Sequence, residues 1–472
     1  MELRPNNASV LVWIHGGGFT RGSGSQYSSI GTPLVATGDV ILVNINYRVG
    51  IFGYLSTGDD ASPGNYGMLD QTQALKWVQR NIHAFGGNPN KVTIFGDSAG
   101  GISVDLHLFS PLSADLFERA IIESGSALTQ LFTADINDAR DTAFQLDEIL
   151  HCNAAGNAHI LVDCLREVPA QELLDASYAV NDINSLNNPC VDGIFIDDLP
   201  ANLLDKREFK RTSLLLGNNA DESSFFFYLI FPSPIPPPIN RQQYNALLAS
   251  YLAGYGYQSE IIVEGVNQVY VDWASADDPT TDYLSTYLKV QSDKSFICDM
   301  DRVARAHASV GDVVYTYHFT HVSSVKKLPD WTGATHTEEL QYVFGYAFNP
   351  LLTEYHSATN EEKRLAVNVM KYWTSFAKYG DPNFEESGEL YWPDYTIPEL
   401  QYKEIAVNLT SGRALKAEEC HFWNEHLQQL GTFVGDLGAV ELEWREEFNR
   451  WKYDDMVLWR HEFDKYLEDT KL

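Results

Sequence analysis

The stretch Lys91–Gly101 (KVTIFGDSAGG) constrains the fold more than any other part of the chain. A run of β-branched and aromatic residues ends in the pentapeptide Gly-Asp-Ser-Ala-Gly centred on Ser98, and an apolar helical pattern follows. This order is the context of a nucleophile elbow, a strained strand-to-helix turn that exposes a serine hydroxyl at the head of the helix. The stretch therefore predicts Ser98 as a nucleophile, and the alternative is an ordinary tight turn of small residues.

Apolar runs alternate with helical patterns along most of the chain. Buried strands are predicted at Ser9–Ile14, Val40–Tyr47, Val92–Phe95, Arg119–Glu123, Ser213–Leu216, Asp312–Thr320 and Glu404–Val407, and helices at Asp70–Phe85, Ala366–Tyr379 and Cys420–Leu430. Strands that alternate with helices indicate a parallel sheet with helices on both faces. The sequence therefore predicts an α/β fold.

Acidic residues outnumber basic residues by a wide margin. The 472 residues include 64 Asp and Glu but only 33 Lys and Arg, which gives a formal net charge of −31. This charge argues against nucleic acid and anionic membrane as partners, and it is compatible with attraction of a cationic substrate. An acidic soluble surface explains the same charge equally well. No run reaches the ~18 apolar residues that a membrane-spanning helix needs.

A glycine-rich loop follows the first predicted strand. His15–Phe19 reads His-Gly-Gly-Gly-Phe, and a strand that opens into such a loop supplies backbone N–H donors to an oxyanion in esterases. The predicted donors are the amides of Gly17 and Gly18, together with the amide of Ala99 after the nucleophile. A plain glycine-rich turn is the alternative.

Two further residues complete a candidate catalytic triad. Glu222 follows the predicted strand Ser213–Leu216 and precedes an aromatic run that begins at Phe225, so its carboxylate can orient a histidine. His336 lies in a loop beyond the strand Asp312–Thr320. An isolated acidic pair is more often solvated surface, and one of 13 histidines is more often structural. The order serine, acid, histidine nevertheless matches the order in this type of site.

Six motifs together resemble the cholinesterase/carboxylesterase family. In chain order they are His15–Phe19, Asn46–Gly50, Gly64–Gln71, Phe85–Pro89, Gly96–Gly101 and the pair Tyr372-Trp373 with Gly380–Asn383, between about residues 9 and 430. The resemblance implies an α/β-hydrolase fold and hydrolysis of a choline ester through an acyl-enzyme intermediate. It implies Ser98 as the nucleophile, Glu222 as the orienting carboxylate and His336 as general base and then acid. It implies no metal and no organic cofactor.

The chain departs from the family's pattern at residues that bear on the substrate. Asp97 stands where the family usually has Glu and is expected to keep a negative charge beside the nucleophile, and Ser223 replaces a glycine. Phe225 matches an aromatic residue that walls the choline site. Ile183 and Ser185 align with bulky aromatic residues of acetyl-specific members, which implies a roomier pocket that accepts butyryl esters. The family's choline-binding tryptophan lies upstream of this chain's start, and we expect the chain to be part of a longer one.

The chain has five cysteines. A bridge between Cys152 and Cys164 would close a 13-residue ring, worth ~3 kcal/mol in the loop-entropy model. A metal site is a poor alternative, because no second cysteine pair or histidine spacing accompanies these residues. The resemblance implies this bridge and a second one between Cys298 and Cys420, which leaves Cys190 free.

Two Asn-x-Ser/Thr triplets, at Asn7 and Asn408, are candidate glycosylation sites. Such triplets are also frequent by chance. Together with the implied disulfides, they fit a secreted protein that reaches a cell surface or synapse only through an anchor.

The C-terminal segment repeats large apolar residues at helical spacing. Steps of 4, 3, 5, 3, 4 and 3 separate Trp444, Phe448, Trp451, Met456, Trp459, Phe463 and Tyr466. These steps place one stripe on a helix face, and such a stripe most often packs on its own domain. The segment also resembles the tryptophan-rich tail of the family's tailed members, which implies a homo-oligomer around a proline-rich anchor protein. We therefore predict an esterase domain over residues 1–432 and an oligomerisation helix over 439–468.

Two other functions are compatible with the same motifs. A general carboxylesterase is favoured by the sequence His336-Thr-Glu-Glu-Leu and by the missing choline-binding tryptophan. A neuroligin-like adhesion protein would share the fold. That group lacks the serine, however, whereas this chain has Ser98, Glu222 and His336.

Overall fold

One large sheet organises the part of the chain that the structure describes. The computed structural model describes residues 7–129, 134–182, 186–384 and 388–430, together with Met456. The strands of the sheet are β1 (Ala8–Ile14), β2 (Ile41–Asn44), β3 (Gly87–Asp97), β4 (Arg119–Glu123), β5 (Ser213–Asn219), β6 (Val314–Phe319), β7 (Gln401–Ile405) and β8 (Thr410–Arg413). Their order is β2-β1-β3-β4-β5-β6-β7-β8. All neighbours are parallel except β7 and β8, so the predicted mostly parallel sheet is confirmed.

Helices connect most of the strands. The α-helices span Thr32–Gly38, Ile51–Tyr54, Tyr66–Asn81, Ala99–Phe109, Ile136–Ile149, Ala158–Glu167, Ala170–Ser177, Pro200–Lys206, Glu222–Ile230, Arg241–Ala253, Glu260–Tyr270, Tyr283–Ser292, Cys298–Ser309, Leu340–Val343, Asn360–Tyr379 and Ala417–His421. Short 3₁₀ turns span Tyr27–Ser29, Ile82–Phe85, Asp330–Thr332, Tyr346–Phe348, Thr353–Tyr355 and Gly388–Leu390, and π-helical turns span Asp293–Ile297 and Phe422–His426. Every described helix is too short or too polar to cross a lipid bilayer.

The sheet separates two hydrophobic cores. Side chains alternate between the faces of a strand, so β1 contributes Val10, Val12 and Ile14 to one core and Leu11 and Trp13 to the other. All five side chains are buried. The alternation explains why the strand reads as a continuous apolar run rather than as a polar-apolar repeat.

A different helix closes each core. The helix Ala99–Phe109 is buried along its whole length against the first core. The helix Asn360–Tyr379 packs Trp373 and Phe376 into the second core. It begins six residues earlier than the predicted helix, because Thr359 and Glu362 form a capping box at its start.

Two strands differ from the prediction where they approach the candidate site. The predicted strand Val40–Tyr47 ends at Asn44, and the Tyr47 hydroxyl beyond it donates a hydrogen bond of 2.7 Å to the His15 carbonyl. Strand β5 extends beyond Leu216 to Asn219, because its polar end stays paired with β6. Both differences lie at the carboxyl ends of parallel strands, which is the edge where ligands bind in open α/β sheets.

Two disulfides join segments outside the sheet. Cys152 and Cys164 are bonded with an S–S distance of 2.01 Å, and Cys298 and Cys420 with 2.03 Å. These are the pairings that the resemblance implied. Cys190 is buried and free. The predicted boundary at residue 432 and the tail over 439–468 lie outside the described residues, apart from Met456.

The close contact between β1 and the helix Ala99–Phe109 generates a stability prediction. A Cβ on Gly100 would lie 2.1 Å from the Ile14 carbonyl oxygen. We expect Gly100→Ala to lower the free energy of unfolding by about 1–3 kcal/mol or more, because the backbones must separate. Gly265→Ala is the matched control, since a Cβ there meets nothing closer than 3.4 Å and should stabilise its helix by about 0.5–1 kcal/mol. Thermal denaturation checks both, and equal melting temperatures would contradict the expectation.

Candidate active site

Ser98 occupies a strained turn between β3 and the helix Ala99–Phe109. Its φ is +60° and its ψ is −126°, outside the conformations that side-chain-bearing residues prefer. The Ser98 amide donates a hydrogen bond of 2.9 Å to the Glu123 carbonyl, and the Ile102 amide donates one of 2.9 Å to the Ser98 carbonyl. A Cβ on Gly96 would lie 2.6 Å from the Gly100 backbone, so this approach requires glycine. The turn therefore has the geometry of the predicted elbow.

The glycine-rich loop runs directly beside this turn. A Cβ on Gly16 would lie 3.0 Å from the Ser98 Cβ, and Gly17 and Gly18 have φ values of +120° and +60°. Gly17, Gly18 and Ser98 all line one cavity. The amide of Ala99 belongs to the first turn of its helix, where no intrahelical acceptor exists. The structure thus brings the three predicted oxyanion donors to the neighbourhood of Ser98.

Glu222 and His336 form a short hydrogen bond in a dry environment. The distance from His336 Nδ1 to Glu222 Oε2 is 2.6 Å, and the two residues are 3% and 0% exposed. The other carboxylate oxygen of Glu222 accepts a hydrogen bond of 2.7 Å from the backbone amide of Asn219. Since a carboxylate can only accept, Nδ1 carries the proton and Nε2 keeps a lone pair in the neutral imidazole.

His336 Nε2 is available for proton transfer. This atom is buried, and none of the described residues forms a hydrogen bond with it. His336 lines the same cavity as Ser98. No hydrogen bond joins the two side chains, and such contacts often tighten only when substrate is bound. The inferred tautomer leaves Nε2 able to accept a proton beside the cavity that Ser98 also lines.

Glu222 is the first residue of the helix Glu222–Ile230, and the segment around it is hydrogen-bonded to the loop that carries His336. The Asp221 amide donates to the Ala334 carbonyl and the Ala334 amide donates to Asp221 Oδ2, each at 2.9 Å. Asn219 Nδ2 donates a hydrogen bond of 2.8 Å to the Thr335 carbonyl. One hydrogen-bond network therefore holds the segments of Glu222 and His336 together, and sequence analysis missed it because it joins positions over 100 residues apart.

Aromatic rings surround the imidazole of His336. The ring centroids of Phe226, Phe296 and Phe225 lie 5.0, 5.2 and 6.0 Å from its centroid. Phe225, predicted to wall the substrate site, lines the cavity, and so does Phe226. Phe296 was not anticipated, because it comes from a distant helical turn with no motif around it.

Three buried acids lie behind the triad residues. Asp97, Glu123 and Glu339 are at most 2% exposed. Burial raises the pKa of all three, and the neighbouring carboxylates raise it further, to about 7 for Glu339. The raised pKa of Asp97 opposes the negative charge that the sequence predicted beside the nucleophile. Glu123 and Glu339 were missed, although an acidic residue at the end of the apolar strand β4 was a usable signal.

Donors on neighbouring elements satisfy part of this acid cluster. The Trp373 indole N–H donates a hydrogen bond of 2.6 Å to Glu123, and Asn219 Nδ2 donates one of 2.5 Å to Glu339. Asn219 thus contacts both the acid cluster and Glu222. The cluster is a supporting layer beneath the triad rather than a free anionic site.

The cavity has a volume of about 670 Å³ and a mixed wall. Aromatic residues form much of it, and Arg21, Lys326 and Lys327 contribute positive charges. Lys327 is paired with Glu354 at 2.8 Å, and Lys326 donates a hydrogen bond to the Gly333 carbonyl. Burial lowers the pKa of Lys326. In the described segments, no group of three or more His, Cys, Asp or Glu side chains is arranged to hold a metal.

Several predicted site residues lie outside the described residues. They are the acyl-pocket residues Ile183 and Ser185 and the tail residues Trp444, Phe448, Trp451, Trp459 and Phe463. Their assignments stay predictions.

The acid cluster generates a prediction about pH and stability. Folded Glu339 keeps its proton up to about pH 7, whereas the unfolded acid loses it near 4.5, so stability falls as pH rises through this window. We expect Glu339→Gln to remove this loss of stability. The variant's free energy of unfolding, relative to that of the wild type, should be higher at pH 8 than at pH 5 by on the order of 2 kcal/mol. Thermal denaturation at both pH values measures the difference. Exposed Glu361→Gln is the control, and a gain independent of pH would contradict the account.

Comparisons with known proteins agree with this geometry. A family model described as the carboxylesterase family matches residues 2–423. Acetylcholinesterase of Danio rerio is 34% identical over 512 residues, which cover 99% of this chain and 79% of the relative. The acetylcholinesterases of Bungarus fasciatus and Electrophorus electricus are 36% and 35% identical, covering 99% of this chain and 77% and 79% of the relatives. The chain therefore belongs to the carboxylesterase family, has its α/β-hydrolase fold, and is a carboxylic ester hydrolase.

Proposed function

We propose that this chain hydrolyses choline esters through an acyl-enzyme intermediate, with Ser98, His336 and Glu222 as its catalytic triad. The observation that carries the proposal is the 2.6 Å hydrogen bond between His336 Nδ1 and Glu222 Oε2. This bond lies beside a cavity that Ser98, Gly17 and Gly18 also line.

The geometry supports a defined role for each member of the triad. Ser98 attacks the ester carbonyl while His336 Nε2 accepts the hydroxyl proton, and the same nitrogen then protonates the leaving alcohol oxygen. Glu222, fixed by the Asn219 amide, stabilises the imidazolium that forms between these steps. A water molecule attacks the acyl-enzyme in the second half of the reaction, again with His336 as base.

The backbone supplies the electrophilic assistance in this mechanism. The amides of Gly17, Gly18 and Ala99 stabilise the oxyanion of the tetrahedral intermediate, each by about 3 kcal/mol. The scheme uses no metal and no organic cofactor.

The substrate class rests on the relatives and on the cavity wall. The curated relatives are acetylcholinesterases. The rings of Phe225, Phe226, Phe344, Tyr346 and Tyr355 line the cavity, and aromatic faces attract quaternary ammonium groups. Acceptance of butyryl esters stays a prediction, because it depends on the acyl-pocket residues outside the described part of the chain.

We further infer an extracellular protein that associates through its tail. The two disulfides favour an oxidising compartment. Asn7 and Asn408, the candidate glycosylation sites, are exposed. The aromatic stripe over 439–468 supports a homo-oligomer around a proline-rich anchor chain, and the esterase domain would then span 1–432.

A general carboxylesterase is the second candidate, and a specific observation favours it. Arg21, Lys326 and Lys327 line the cavity, and positive charges there oppose a cationic alcohol. The shielding of Lys327 by Glu354 weakens this opposition without removing it. A neuroligin-like adhesion protein is disfavoured because the nucleophile, base and acid are all present.

A pair of isosteric substrates separates these candidates. We expect kcat/KM for acetylthiocholine to exceed that for the neutral analogue 3,3-dimethylbutyl thioacetate by about tenfold, the effect of one desolvated cation–π contact. Thiol release measures both rates. Ser98→Ala is the control and should lose both hydrolysis and labelling by an organophosphate. Equal or reversed rates would leave the general carboxylesterase, and labelling of Ser98→Ala would mean a different nucleophile.

A further inference from the structure

Thr337, the residue after His336, has an unusual backbone conformation. Its φ is +71°, in the left-handed region. Among the described residues with positive φ it is the only β-branched one, and branching at Cβ makes this conformation a genuine outlier. Backbone strain of this kind persists only where the surrounding structure over-determines it, and it concentrates at functional sites.

Hydrogen bonds on both sides hold Thr337 in place. Before it, Thr335 is bound through its carbonyl to Asn219 Nδ2, and His336 is bound to Glu222. After it, the Leu340 amide donates a hydrogen bond of 3.2 Å to the Thr337 carbonyl. The chain therefore cannot relax at this position without disturbing the base. A glycine would adopt the same φ without strain, so the structure gives threonine no backbone advantage here.

The location of Thr337 suggests what its side chain does. Thr337 is partly exposed and lines the cavity beside His336. In the proposed mechanism His336 must protonate the leaving alcohol oxygen, so the alcohol lies on the histidine's side of the ester carbon and the acyl group on the other. Thr337 therefore borders the space for the alcohol.

We propose that Thr337 is a specificity-determining residue that narrows the alcohol subsite and selects esters of small or unbranched alcohols. The inference rests on the proposed triad. Because Thr337 lines the cavity beside His336, its side chain would limit the room for the leaving alcohol, and one methyl group in a binding pocket changes selectivity by about tenfold.

The test uses esters that differ only on one side of the bond. 1-Naphthyl acetate and phenyl acetate share the acetyl group and differ in the alcohol, whereas phenyl butyrate differs from phenyl acetate in the acyl group. We expect Thr337→Ala and Thr337→Gly to raise the kcat/KM ratio of 1-naphthyl to phenyl acetate by about tenfold. The ratio of phenyl butyrate to phenyl acetate should stay unchanged. Thr337→Val, which keeps the shape, should resemble the wild type.

Stability measurements separate size from strain. Thr337→Gly should raise the melting temperature, whereas Thr337→Ala, which keeps a Cβ at positive φ, should raise it less. Arg207→Gly is the matched control, because Arg207 has φ +63° on an exposed helix end and does not line the cavity. It should leave both ester ratios unchanged. Suppose that the wild type hydrolyses these esters, but the kcat/KM ratio of 1-naphthyl to phenyl acetate changes less than twofold in Thr337→Ala and Thr337→Gly. That result would overturn this inference alone. A wild-type chain without hydrolysis would overturn the proposed function with it.

Discussion

The hydrogen bond between Glu222 and His336 depends on strand pairing, on burial and on hydrogen bonds between two segments that are distant in the chain. The carboxyl ends of β5 and β6 bring the acid's segment and the histidine's loop to one edge of the sheet. The pair is almost completely buried, so charge on the imidazole is stabilised by a carboxylate at low local dielectric rather than by water. The side chains of Asn219 and Asp221 then join the two segments through hydrogen bonds to the backbone of Thr335 and Ala334. Displacement of either segment would separate acid from base.

Keeping four carboxyl groups close together requires that some of them stay protonated. Glu222 is satisfied by His336 and by a backbone amide, whereas burial raises the pKa values of Asp97, Glu123 and Glu339. The raised pKa values of these three acids favour their neutral forms and so limit the negative charge around Glu222. Charge is also distributed unevenly over the whole molecule. The net charge of −31 attracts cations at long range, while Arg21 and two lysines place positive charge on the cavity wall. Long-range attraction and local fit are therefore separate contributions to substrate choice.

The features predictable from sequence were those with a local signature. The elbow around Ser98 and the loop at Gly17 are encoded by adjacent residues whose small size is needed where they stand, and the strand-helix alternation indicated the parallel sheet. The order of serine, acid and histidine along the chain predicts Glu222 and His336 as partners. The acid cluster, the hydrogen bonds of Asn219 and the rings around His336 have no local signature, because their contacts join distant segments. The raised pKa of Asp97 has no local signature either, because burial beside Glu339 cannot be read from a pentapeptide.

Cooperation within the triad is the central claim, and a double-mutant cycle on Glu222→Gln and His336→Ala measures it most directly. The rate of acylation by phenyl acetate, followed in single-turnover experiments, should fall by about 10⁴–10⁶ in the His336→Ala variant. If the carboxylate acts only through the imidazole, adding Glu222→Gln to that variant should lower the rate no further. Losses that multiply in the double variant would show that the two residues act independently, and would contradict the account.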